Sequence, residues 1–178
     1  MAADIAVFET MKGFVTFGPA DVDNLVRLRP VLEKHGSAIT DRFYLRLAEN
    51  PETAVFIEGR VDALKRTHHR WMMELCGGEY GQAYFENRIR VGMAHVRIGL
   101  DTWWVEGVMS FLRTEAVEAI RAEVPDSEDC ARLYQSLVKI LDLDLLVINV
   151  AYAEERLDRL HNFTGMSRKL IERCIKQG

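Results

Sequence analysis

This sequence predicts an all-α fold, and three observations carry that reading. Apolar residues recur at the three- and four-residue spacing of helices along most of the 178 residues, with almost none of the alternation that marks strands. Only four prolines occur, Pro19, Pro30, Pro51 and Pro125, each where a helix can begin. Gly77-Gly78, Gly99 and Gly165 punctuate the longer periodic runs.

In chain order, the spacing predicts a short leading helix over 3–13, with Ile5, Phe8 and Met11 on one face. A second is expected over 19–34, with Pro19 in its first turn, and a third over 37–49, carrying Ile39, Phe43 and Leu47. "NPETAVF" reads as an Asn cap, a Pro and a short helix over 50–56. The next helix, 60–76, stops at Gly77-Gly78; another, 80–98, stops at Gly99. Asp101 caps a helix over 102–123. After Pro125, the longest helix is expected over 127–160, and a charged amphipathic segment after Thr164-Gly165 makes one more. Helices with no strand point to an all-α core with several non-parallel crossings. Residues 1–160 form the expected domain, and 161–178 read as the start of a linker.

Composition narrows the function. The net charge is −4 with no basic block, which gives nucleic-acid binding little support. No apolar run reaches the roughly 20 residues needed to span a bilayer, and the N-terminus lacks the basic flank of a signal peptide. Cys76, Cys130 and Cys174 are too far apart for a CxxC metal site or a disulfide framework, so a reducing cytoplasm is the expected location.

The histidines are where chemistry enters. His35, His161 and His69 lie among polar neighbours and are expected at the surface. His68 shares an apolar face with Leu64, Trp71, Met72 and Leu75, and His95 shares one with Val91, Gly92, Ile98 and Gly99. Such a histidine is either a core residue with a satisfied hydrogen bond or a ligand aimed at something apolar. Two of them on successive helices allow a flat ligand to be sandwiched between. Gly92 then removes bulk where a ligand plane approaches. Zinc is a weaker reading, since neither HExxH nor a Cys pair is present; one His in an apolar pocket suits haem iron better. Tyr44, beside Phe43 in "RFYLRL", is either a core tyrosine or a hydroxyl donor on the distal side of that haem.

With those residues in view, the sequence resembles the globin domains of bacterial globin-coupled sensors. "AHVRIGLDTWW" is similar to the family's proximal-histidine motif, which is followed by Ile-Gly-Leu and an aromatic; "FY" at 43–44 resembles its Phe-Tyr pair. Thr102, Trp103 and Val105 depart from the commoner Pro, Lys and Tyr. The resemblance implies a three-over-three globin fold with an extra N-terminal helix and a long C-terminal helix, binding haem b. It implies His95 as proximal iron ligand, Tyr44 as distal oxygen-bonding residue, Phe43 and Trp104 flanking the haem, Leu64 controlling water access, and His68 as a distal ligand in some states. The implied ligand is O2, with CO and NO as others. The implied assembly is a homodimer through the last two helices, passing a signal to an output domain: a diguanylate cyclase first, or a histidine kinase or chemotaxis transducer. The domain itself is then a sensor and not an enzyme. On the residues, Leu133, Leu137, Ile140, Leu141, Leu145, Val147 and Ile148 give the long helix more apolar surface than one globin core needs. The alternative function is a haem-free, globin-like dimerisation module. A haem dioxygenase or peroxidase is a third reading, with no further acid–base group to support it.

Overall fold

Three of the helix starts are set by local hydrogen bonds. The computed structural model describes residues 5–177. In chain order the helices are α1 (Ile5–Phe14), α2 (Pro19–Glu49), α3 (Pro51–Ile57), α4 (Val61–Glu74), α5 (Gln82–Arg97), α6 (Thr102–Glu123), α7 (Ser127–Thr164) and α8 (Arg168–Gln177). No strand occurs among the described residues. Of the expected leading helix, residues 3 and 4 lie outside the described range; Phe8 is fully buried on its inner face. The Gly18 N–H donates to the Asp21 carboxylate at the start of α2. Asn50 Oδ1 accepts from the Glu52 N–H at α3, and Asp126 Oδ1 from the Asp129 N–H at α7. Asp101 does sit at the N-cap of α6, but its side chain makes no capping bond there.

The two helices expected over 19–34 and 37–49 are one continuous helix, α2. His35-Gly36-Ser37 reads as a break, yet Gly36 is a crossing point: a Cβ there would lie 3.3 Å from Met72 Sδ on α4. Packing against α4 therefore holds the chain helical where propensity alone would let it stop. Pro30 is tolerated inside α2 because it lies on the exposed side. The carbonyl it leaves without an N–H partner belongs to Val26, which is half exposed to water. The longest helix also outruns its expected end: α7 continues through His161 to Thr164 and terminates at Gly165, whose φ of 70° only glycine adopts readily. The boundary expected between 160 and 161 thus falls inside a helix.

α7 is the spine of the molecule and packs against α1, α2, α5, α6 and α8. Leu133, Leu137, Ile140, Leu141, Val147 and Ile148 are all buried within this chain, and Leu145 is partly buried. The apolar surface that looked surplus in the sequence is therefore used by the chain's own core. At the far end of α7, Leu160 and Phe163 remain exposed, as do Leu170 and Ile175 on α8.

One polar cluster crosses this core. Asp144 on α7 and Arg88 on α5 are fully buried and joined at 2.7 Å. Asp144 also accepts from Tyr84 Oη at 2.6 Å and Trp71 Nε1 at 3.0 Å, and Arg88 reaches Glu74. Every carboxylate oxygen of Asp144 is thereby satisfied, the condition under which a buried ion pair is tolerated. The cluster ties α4, α5 and α7 together.

Candidate functional site

His95 stands in the last turn of α5, and the residues after it explain why it is held there. Gly99 takes a φ of 73°, which turns the chain so that the Leu100 N–H reaches back to the His95 carbonyl at 3.1 Å. Tyr152 on α7 then donates its hydroxyl to the Leu100 carbonyl at 2.6 Å. The Ile-Gly-Leu stretch is thus the stop that fixes the end of α5 and lets α6 begin at Thr102.

His95 borders a cavity of about 330 Å³ whose lining is almost wholly apolar. That size falls within the roughly 300–1,000 Å³ of small-molecule sites. Phe43, Tyr44 and Leu47 line it from α2, and Leu64, Thr67, His68 and Trp71 from α4; Val91 and His95 come from α5, and Trp104, Val105 and Val108 from α6. Ile148 brings α7 to it, and Arg60, ahead of α4, supplies the cation of the lining. α4 packs on α2 while α5 packs on α7, and the cavity lies between these two pairs.

Two imidazoles border this cavity with ring nitrogens left over. His68 Nδ1 meets Thr40 Oγ1 at 2.9 Å, while its Nε2 is buried with no hydrogen-bond partner among the described residues. His95 Nδ1 is likewise buried and unpartnered. As whole residues both histidines are half-buried, because they edge the cavity, but the nitrogens named are shut off from water. Burial pushes the His68 imidazole down to about 4, with the charge of His69 adding to the shift, and burial lowers His95 as well. Both rings are therefore neutral near pH 7, the state in which imidazole ligates a metal. Burial pushes the Tyr44 phenol up to about 12, so it stays protonated and remains a donor.

The aromatic packing sets these groups in place. The Phe43 ring lies 5.0 Å from the His68 ring and 4.8 Å from that of Tyr44; Tyr44 meets His68 edge-on at 6.2 Å. Trp71 stacks on His68 at 5.4 Å, and its indole N–H is held by Asp144. The ring of His68 is thereby in contact with three aromatic rings and connected through Trp71 to the buried ion pair.

Of the residues singled out in the sequence, His95, Tyr44, Phe43, Leu64, His68, Val91 and Trp104 all border this one cavity. Gly92 does not. It faces α7, where a Cβ would come within 2.7 Å of Ala151 Cβ and 3.1 Å of Ile148 Cα. Its lack of a side chain allows two helices to approach, not a ligand. His69, expected in water, is half-buried with an enclosed Nδ1 near Gly36. His35 is partly buried and paired with Glu123, whereas His161 is exposed. Sequence reasoning missed Thr40, Arg60, Leu100 and the tie from Trp71 to Asp144. Thr40 left a faint signal: a polar residue one turn before Tyr44 on the same helical face.

Comparison with known proteins agrees with this architecture. The Protoglobin family model matches residues 6–158. The globin domain of a Geobacter sulfurreducens globin-coupled sensor is 32% identical, with a TM-score of 0.77 over 81% of this chain and 96% of that one. The globin domain of E. coli DosC matches in fold at 18% identity: its ferric form has a TM-score of 0.67 over 81% of this chain and 98% of that chain, and its ferrous form 0.65 over 79% and 96%. With the family model spanning residues 6–158 and a globin domain 32% identical over 81% of this chain, the all-helical chain belongs to the protoglobin family.

Proposed function

We propose that this chain is a haem-based gas-sensing domain whose principal ligand is O2. The observation that carries the reading is the pair of buried, neutral imidazoles, each with an unpartnered ring nitrogen, on one apolar cavity. The fit to haem is chemical. A flat apolar macrocycle suits the lining, the iron suits an imidazole nitrogen, and the carboxylates at one edge suit Arg60. Haem supplies an iron that takes a diatomic gas as a ligand.

The chain's own residues do the rest. His95 would be the proximal ligand; its place at the end of α5 is held by the Gly99 turn and the Tyr152 bond. Trp104, Val91 and Phe43 line the cavity where they would pack against the macrocycle, and Leu64 would keep water from the side of Tyr44 and His68. Tyr44 donates its hydroxyl to a polar gas, which favours O2 over CO. His68 is the second residue on that side of the cavity, and its Nε2, which has no other partner among the described residues, would hold the iron when no gas is present. Ile148 lies both in the cavity wall and in α7, so a change of ligand biases the helix that leads to Leu160, Phe163 and α8. Those exposed apolar residues are the proposed homodimer surface, and the signal is read by an output module. That this module is a diguanylate cyclase rests on the resemblance to the sensor family alone. No helix among the described residues is long and apolar enough to cross a membrane; a cytoplasmic site of action is part of the proposal.

The test is the visible spectrum of the purified protein supplied with haem. A Soret band that moves on reduction, and again with O2 and with CO, is expected. The spectrum of free haem in all states rejects the reading.

A further inference from the structure

Thr40 has no part in the roles above, yet among the described residues it makes the one hydrogen bond to the His68 ring. It is almost fully buried on α2, one turn before Tyr44, and its Oγ1 lies 2.9 Å from His68 Nδ1. Its orientation differs from that of other helical threonines here. Thr67, Thr114 and Thr164 each turn the hydroxyl back on the carbonyl four residues earlier, the usual habit inside a helix. Thr40 turns its oxygen across to α4 instead.

We infer that Thr40 is the positioning residue for His68, fixing which ring nitrogen carries the proton and aiming Nε2 at the cavity. The inference rests on the haem-sensor reading for its consequence, though not for the bond itself. A neutral imidazole holds one N–H and one lone pair. Two arrangements are open. If Nδ1 carries the proton, it donates to Thr40, and both the Thr40 hydroxyl hydrogen and the Nε2 lone pair are left without partners. If Thr40 donates to Nδ1, the proton sits on Nε2, and that N–H is the single group left over. Buried polar groups without partners are costly, so the second arrangement holds whenever Nε2 is free of the iron. His68 then presents an N–H to the cavity beside the Tyr44 hydroxyl, and the site has two donors for a polar gas. When Nε2 is itself an iron ligand, the same hydroxyl accepts from Nδ1–H, the kind of outer partner that orients a ligating histidine. A hydroxyl serves both because it is donor and acceptor; a methyl in its place serves neither.

The experiment uses the haem-loaded protein, reduced and saturated with CO, in four forms: wild type, Thr40→Val, Thr40→Ser and His68→Leu. A donor near the outer atom of CO lowers its stretching frequency, which infrared spectroscopy reads. His68→Leu marks the frequency without that donor. Thr40→Val, equal in shape but lacking the hydroxyl, is expected to move or split the band toward that value. Thr40→Ser keeps the hydroxyl and is expected to stay with wild type. A Val variant with the wild-type band overturns the inference, as does a Ser variant that behaves like Val, or a His68→Leu band identical to wild type. Where a form holds no haem, the ¹⁵N spectrum of His68 in the haem-free protein decides. The proton must lie on Nε2 in wild type, and the Nδ1 resonance must shift in Val and not in Ser; any other pattern overturns the inference. Absence of haem from the wild type contradicts only the sensor reading.

Discussion

In the proposed sensor, Tyr44 is a side chain that would separate one gas from another. Its hydroxyl is kept protonated by burial and stands at the cavity next to His68. Dioxygen on a ferrous iron carries partial negative charge on its outer atom, whereas CO carries little. A neutral hydrogen bond contributes about 0.5–1.5 kcal/mol and a charge-assisted one roughly 1.5–3. At about 1.4 kcal/mol per tenfold, Tyr44→Phe is expected to speed O2 release by a few-fold to roughly a hundredfold. Stopped-flow dissociation measures it, with CO release as the control that should change much less. An equal change for both gases would mean that the ring's bulk matters and its hydroxyl does not. At this scale the sequence was legible wherever a residue's position depends on its own helical face. His95, Tyr44, Leu64 and Trp104 could be placed by spacing and motif, and all border the cavity. Thr40 and the Trp71–Asp144 bond were not legible, because each depends on how two helices cross, which no local period encodes.

Among the elements, the α5–α7 crossing is the tightest contact at a glycine. Gly92 stands one turn before His95 and directly against the backbone of Ile148, itself a cavity-lining residue. A Cβ there meets backbone that cannot swing aside, so Gly92→Ala must push the two helices apart. Overpacking of this kind costs about 1–3 kcal/mol, and a urea midpoint shifted downward by a corresponding amount is expected. An unchanged midpoint would show that α5 and α7 are not in this register. The sequence marked Gly92 as unusual but gave it the wrong neighbour: a ligand plane and a second helix both call for a missing side chain. Helix count failed at 35–37 for a related reason. Gly36 looks like a stop when read locally, and only the Met72 contact reveals it as a crossing point inside α2. The starts of α3 and α7 were predictable because Asn50 and Asp126 cap their own helices without outside help.

For the molecule as a whole, the proposed function requires a path by which a small change at His95 would leave the domain. α7 borders the cavity at Ile148, carries Asp144 of the buried ion pair, and ends at Gly165 before α8 folds back through Arg168 onto Glu154. Its inner apolar residues are spent on the core, so the proposed partner copy would meet α7 and α8 at Leu160, Phe163, Leu170 and Ile175, which stay exposed. Light scattering at micromolar concentration is expected to give the mass of two chains, and Phe163→Glu combined with Ile175→Glu the mass of one. A wild-type monomer would remove the proposed route through this surface. All of this depends on haem being held by His95, and one comparison tests that directly: the visible spectrum of purified His95→Ala beside wild type, with and without added imidazole. The variant is expected to lose most of its Soret absorbance and to regain it when imidazole fills the space left by the side chain. A variant that keeps full haem and an unchanged spectrum without imidazole would contradict that role for His95.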